Sequence, residues 1–230
     1  MRLTKPVLLI LLSVLFIFPF TSAMAGTSHV VIIDPAHGGT DRGGKLSRNL
    51  YEKDITLIVA KALKKNLSKT KNVKIYLTRS TDKKLSISER IKIARRSKAD
   101  LFVSLHINAG FGKSSSGYEV YFPGFGKTLA RKGDSNEILN DMVRNKYLND
   151  SVRFAQIVMK NIEKVFPRQG RGLRNAPVPV LEGLTIPAVV IELGFATNIK
   201  DRKKLLSRKI QQSIATALSK SIKEYFSTEG

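Results

Sequence analysis

Val30-Val31-Ile32-Ile33-Asp34-Pro35-Ala36-His37-Gly38-Gly39 sets the architecture of this 230-residue chain. Four short β-branched apolar side chains in a row read as a buried strand. Asp34-Pro35 stops the strand, and Gly38-Gly39 turns the backbone tightly. His37 is thereby left at the mouth of the strand, where open α/β sheets carry their chemistry. The chain holds only three histidines, and a second one, His106, closes another apolar run, Leu101-Phe102-Val103-Ser104-Leu105-His106. Two scarce imidazoles at two strand ends point to a metal site.

The flanking sequence alternates strand and helix signals. After a polar, glycine-containing loop at 41–48, Tyr51-Glu52-Lys53-Asp54 opens a helix with Ile55, Ile58, Val59, Ala62 and Leu63 at the 3.6-residue period. Acidic residues in its first turn suit the positive end of the helix dipole. A strand at 73–78 follows, and Ser86-Ile87-Ser88-Glu89 has the spacing of a capping box that starts a helix ending near Ser97. Further strands are predicted at 99–107 and 117–122. Residues 125–149 are the least regular part, and Asn149-Asp150-Ser151 is expected to cap a helix bearing Val152, Ala155, Val158, Met159 and Ile162. Residues 167–176 read as a basic loop, 178–181 and 187–193 as strands. Asn198 is expected to cap a helix through Leu206, with a last amphipathic helix at 210–225. About six alternations imply an α/β, single-domain, three-layer fold: a mostly parallel twisted sheet of about six strands with helices on both faces.

Residues 1–25 are set apart from that domain, which is taken as 26–230. Arg2 and Lys5 precede an apolar stretch, and Ala23-Met24-Ala25 has the form of a cleavage site, so a secretory signal is expected there. An uncleaved anchor is the competing reading, but Pro6 and Pro19 bracket a core shorter than the roughly 20 residues a spanning helix needs. Its removal lowers the formal charge from +22 by the two cations Arg2 and Lys5. A chain so basic seeks polyanions. For an exported protein, in the periplasm or cell wall, these are wall components and anionic lipid rather than nucleic acid; a merely solvated basic surface is the plain alternative. The absence of cysteine excludes thiolate ligands, disulfides and a lipid-modified cysteine, so a metal site must draw on His, Asp and Glu.

Glu52 is the candidate third ligand, 15 residues after His37 on a helix that must pack against the sheet beside the first strand. Two imidazoles and one carboxylate are a common catalytic zinc set that leaves a fourth position open. His29, in the N-terminal linker, is a poor fourth. Glu192 interrupts the apolar run Ala188-Val189-Val190-Ile191. A carboxylate there costs several kcal/mol unless it is paired or sits at the strand mouth, and functional sites tolerate such costs. It is the candidate proton carrier. Glu119 alternates with apolar neighbours and is expected to face solvent, and Glu182 to lie in a loop.

These residues resemble the four motifs of the zinc-dependent N-acetylmuramoyl-L-alanine amidases of the cell-wall type 3 family. The motifs are 31–39, Tyr51-Glu52-Lys53-Asp54, Ser104-Leu105-His106-Ile107-Asn108-Ala109, and 187–195 with Asn198, in that order over about residues 30–225. The resemblance implies one zinc ion held by His37, Glu52 and His106, and Glu192 as catalytic acid/base. The implied substrate is peptidoglycan, cut at the amide between N-acetylmuramic acid and the first L-alanine of the stem peptide. It also places a basic residue at Arg174, a candidate for a substrate carboxylate, although Arg174 is one of 40 Lys and Arg. Asn108 is a second candidate for the cleft. Some family members carry an inserted helix that blocks the zinc until an activator protein displaces it. Here 124–149 occupies that place, with Glu137 as the candidate blocking residue and a surface loop as the plain alternative. Another zinc peptidase of wall peptides, such as a carboxypeptidase, and a non-catalytic basic wall-binding protein are the competing functions.

Overall fold

The computed structural model describes residues 28–110, 112–124 and 135–227, with side chains left undescribed over 135–141. The expected signal segment at 1–25 and the Glu137 side chain lie outside the described residues.

Strands β1 (His29–Pro35), β2 (Val73–Leu77), β3 (Leu101–Asn108), β4 (Tyr118–Pro123), β5 (Gly170–Ala176) and β6 (Ala188–Phe195) form one six-stranded sheet in the order β2-β1-β3-β6-β4-β5. β1 runs parallel to β2 and β3, and β3 parallel to β6. β4 pairs antiparallel with β6 and parallel with β5. The carboxyl ends of β1, β3 and β6 therefore emerge at the same edge as the amino ends of β4 and β5.

Alternation along each strand divides the core into two layers. Val31, Ile33, Leu101, Val103, Leu105, Val189 and Ile191 pack with helices α1 (Glu52–Leu67), α3 (Ser135–Ile162) and α6 (Arg208–Ser227). On the opposite face Ile32, Phe102, Ala188 and Val190 meet Ala94 of α2 (Ile87–Arg96) and Val180 and Leu181 of α4 (Pro179–Glu182). This second layer is small. It covers the middle of β1, β3 and β6, so the polar residues further along the same face, His106 and Glu192, have no helix above them in the core cluster. The last helices are set by α5 (Ile199–Leu205), whose N-cap Asn198 accepts from the amides of Lys200 and Asp201. The capping box at Ser86 and Glu89 forms as expected.

Three expectations are corrected. Residues 170–176, read as part of a basic loop, form the edge strand β5, whose two glycines and two arginines hide its extended character. Residues 178–181, read as a strand, fold into the single turn α4. Pro179 at its first position removes an amide that a helix start leaves unpaired anyway. The helix expected from Asn149 begins at Ser135. Ser151 is no cap: its hydroxyl donates back to the Tyr147 carbonyl one turn earlier, at 2.6 Å, and accepts the Ala188 amide of β6 at 2.9 Å. Among the described residues no helix is long and apolar enough to cross a membrane.

Candidate metal centre

His37 stands two residues past β1 in a left-handed conformation (φ 60°), followed by Gly38 (φ 136°) and Gly39 (φ 58°). A β-carbon on Gly38 would lie 2.1 Å from the Lys83 carbonyl oxygen, so the turn requires glycine there. A left-handed histidine is costly unless its surroundings fix it, and here cationic side chains take up the carbonyls of the turn. Arg79 donates to the carbonyls of Pro35 (3.0 Å) and Ala36 (2.8 Å). Arg90 donates to those of Pro35 (3.0 Å) and His37 (2.9 Å). Lys53 donates to the Gly39 carbonyl, and Asp82 accepts the Gly39 amide. Arg90 is itself buried and paired with the buried Asp34, which also accepts from Thr78 and Ser104. Removing one partner from such a pair costs far more than the pair contributes.

Glu52 is the first residue of α1 and is 3% exposed. Its Oε1 accepts the Ile107 amide of β3 and its Oε2 the Gly44 amide, both at 2.9 Å. The backbone beside His106 thus aims the carboxylate. His37 Nε2 and His106 Nδ1 lie 3.1 and 3.2 Å from Glu52 Oε1. The three ligating atoms fall within 4.8 Å of one another. The far nitrogen of His37, Nδ1, donates to Asp41 at 2.8 Å, a partner that fixes the tautomer and leaves Nε2 free to bind a cation.

Charge follows the same geometry. Burial lowers the affinity of His37 for a proton, but hydrogen bonds and charge from Glu52 and then Asp41 outweigh it and lift its pKa to about 9. Burial drives Glu52 upward, yet the two imidazoles bring it down to about 2. His106 is shifted upward: burial opposes, Glu52 and Glu192 prevail.

Glu192 is paired in register with His106 on the neighbouring strand, and so lies on the same face of the sheet. Its Oε2 is buried with no hydrogen-bond partner among the described residues. Burial raises its pKa to about 7; His106 opposes this, and Glu52 and Glu119 add to it.

One strand further, Glu119 is in register with Glu192. The expectation that it faces solvent is wrong: it is 3% exposed. Its Oε1 accepts from Arg171 Nε at 2.8 Å and Arg174 at 3.2–3.3 Å, and its Oε2 from Tyr121 (2.8 Å) and Asn108 (3.3 Å). Burial pushes Glu119 upward, but Arg171, Tyr121 and Arg174 hold it below the usual carboxylate range. The structure therefore brings His37, Glu52 and His106 together with Glu192 beside them, while Asn108 and Arg174 gather on Glu119. Sequence reasoning missed Asp41, Arg79, Arg90 and Arg171. Only Asp41, four residues after His37 in a glycine turn, left a local signal.

The chain matches the family model Amidase_3, described as N-acetylmuramoyl-L-alanine amidase, over residues 31–224. It is 28% identical over 219 residues to the N-acetylmuramoyl-L-alanine amidase AmiC of Escherichia coli, covering 86% of this chain and 52% of that protein, so it spans about half the length of that relative. The crystal structure of an N-acetylmuramoyl-L-alanine amidase from Clostridium difficile superposes with a TM-score of 0.74 at 30% identity, covering 89% of this chain and all of the other. The CwlD amidase of Clostridioides difficile, solved in complex with the GerS lipoprotein, gives a TM-score of 0.69 at 25% identity over 87% of this chain and 99% of the other. Since the matched span runs from β1 into α6 and takes in every residue of the cluster, the chain belongs to the N-acetylmuramoyl-L-alanine amidase family.

Proposed function

We propose that this protein is a zinc-dependent peptidoglycan hydrolase that cleaves the amide between N-acetylmuramic acid and the L-alanine of the stem peptide, in wall remodelling or cell separation. The observation that carries the reading is the convergence of three ligating atoms within 4.8 Å beside Glu192, whose buried Oε2 has no hydrogen-bond partner among the described residues. Zinc fits the donor set: with bonds of about 2.0–2.1 Å, tetrahedral ligands stand about 3.3 Å apart. The two nitrogen-to-Glu52 separations are 3.1 and 3.2 Å. His37 Nε2, His106 Nδ1 and a Glu52 oxygen would hold the ion, which supplies Lewis acidity toward the carbonyl and toward water when bound.

The remaining work falls to the chain. Burial raises the proton affinity of Glu192 above that of an ordinary carboxylate in the metal-free site, which suits a group that takes up and gives back a proton. It accepts the proton of the attacking water and delivers it to the departing amine nitrogen, releasing the lactyl carboxylate and an L-alanine amine. Asp41 keeps the His37 proton on Nδ1. Asn108 and Arg174 contact substrate from the Glu119 side of the cleft.

The protein acts outside the cytoplasmic membrane, in the periplasm or wall, after loss of residues 1–25. Segment 124–149 restrains the enzyme until an activator protein acts on it; support comes from the complex of the related CwlD with GerS. Deleting 127–145 then raises basal hydrolysis, and an unchanged rate refutes the idea. The main experiment digests purified sacculi with and without a chelator and identifies new termini by mass spectrometry. New amino-terminal L-alanine that vanishes on chelation is expected. Released D-alanine would instead mark a carboxypeptidase, and no cleavage a wall-binding protein.

A further inference from the structure

Arg171 and Arg174 are both drawn to one oxygen of Glu119 while their side chains stay 38% and 45% exposed. Glu119 is the buried one of the three, and its other oxygen is taken by Tyr121 and Asn108. The carboxylate thus orients two guanidinium groups but neutralises only one of them. Each guanidinium carries five N–H donors in a fixed plane. The bonds to Glu119 use one or two on each, leaving an oriented fork with one net positive charge. Arg171 is held further by the ring of Phe195, 5.2 Å from its guanidinium carbon.

The place of this fork matters. His106, Glu192 and Glu119 stand in register on β3, β6 and β4, one row across one face of the sheet. With strands about 4.8 Å apart, Glu119 lies about 5 Å beyond Glu192 and about 10 Å beyond His106. An extended peptide advances about 3.5 Å per residue. A group two residues downstream of a bond cut beside Glu192 therefore reaches the fork.

We propose that Arg171 and Arg174 form a carboxylate subsite that reads the free α-carboxylate on the second residue of the stem peptide. This rests on the amidase reading above. That residue is linked onward through its side chain in wall peptides, so its α-carboxyl group is either a free anion or an amide. The fork accepts the anion as a planar two-oxygen acceptor. The uncharged amide presents one acceptor oxygen and an NH2 group that meets further donors.

The test uses three N-acetylmuramoyl tripeptides: one with free carboxylates, one amidated only at the second residue, and one amidated only at the third. The full chain is expected to cleave the free acid about tenfold more efficiently (kcat/KM) than the second-residue amide, the scale of one charge-assisted hydrogen bond. It is expected to treat the third-residue amide like the free acid. Arg171→Ala and Arg174→Ala bring the acid-to-amide ratio toward one, and Arg174→Lys restores part of it. A wild-type ratio of one, discrimination that follows the third residue, or variants that keep the wild-type ratio would each overturn the subsite. Affinities of the same ligands for the Glu192→Gln variant, measured by calorimetry, judge it independently of turnover. If none of the compounds is cleaved either by the full chain or after deletion of 127–145, the amidase reading fails, while a preference for the free acid in binding still upholds the subsite and equal affinities refute it.

Discussion

His106 and Glu192 face the same side of the sheet from paired positions on the parallel strands β3 and β6; His106 Nδ1 meets Glu52, whereas Glu192 Oε2 is buried without a hydrogen-bond partner among the described residues. The imidazole belongs to a carboxylate-bound cluster; the carboxylate keeps a buried oxygen free. Under the proposed function, that asymmetry separates a residue that holds the cation from a residue that transfers a proton. Glu192→Ala should reduce turnover of sacculi by at least about a hundredfold, the usual range for losing a general acid/base. Zinc stoichiometry, read by atomic absorption, should stay at the wild-type level. Loss of metal in this variant would mean that Glu192 is a ligand.

Protons and a divalent cation compete for the same nitrogens, which sets a pH window for the chelated protein. The folded pKa of His37 is raised from 6.5 to about 9, so its contribution to stability is complete below 6.5 and is lost as pH rises through 9. The Glu52 value is lowered from 4.5 to about 2, so its contribution is present above 4.5 and is lost as pH falls through 2. The thermal midpoint of the chelated protein should therefore peak between 4.5 and 6.5. Zinc binding, which displaces the imidazole proton, should move the maximum upward. A midpoint that is flat from pH 5 to 9 in chelator contradicts the assigned cluster.

Arg90 holds the His37 turn by carbonyls two residues apart, at Pro35 and His37, while paired with Asp34. A lysine keeps the charge but offers no planar fork to span them. Arg90→Lys should weaken zinc binding about 10–100-fold in competition with a chromophoric chelator, as losses behind metal ligands do. Excess zinc should restore turnover. Arg90→Ala strands the buried Asp34 carboxylate and should lower unfolding stability by about 3–5 kcal/mol in a urea titration.

Gly43 has φ +64°, and a β-carbon there would lie 2.6 Å from both Glu52 Oε2 and His37 Cδ2. Gly43→Ala should release zinc while the far-ultraviolet dichroism stays native. Gly112→Ala is the matched control: φ is +86°, but nothing lies within 4 Å of the added carbon. It should carry only the backbone cost, about 1–2 kcal/mol, and retain the metal.

The residues of the candidate site are legible because each breaks an apolar pattern at a strand end or helix start, where the sequence itself marks the boundary. His37 and His106 end strands, Glu52 opens a helix, and Glu192 interrupts an apolar run. Glu119 was misread because alternation reveals two faces of a strand without saying which one is a cleft; its partners, Arg171 and Arg174, lie more than 50 residues away. β5 escaped notice because an edge strand needs no apolar run when one of its faces is open. α4 reads as a strand in the sequence because a single apolar turn has no period to distinguish it. The long α3 was cut short by Asn149-Asp150-Ser151, which has the composition of a cap, although Ser151 serves to tie the helix to β6.

Reversal of β4 and β5 relative to the rest of the sheet has an evolutionary corollary. Cation-holding groups come from one set of chain segments, those at the ends of β1 and β3 and the start of α1, while the two guanidiniums and the intervening α3 all belong to the contiguous piece from Tyr118 to Ala176. Substitutions confined to that one interchangeable piece can retune the guanidinium pair while the segments carrying His37, Glu52 and His106 stay untouched.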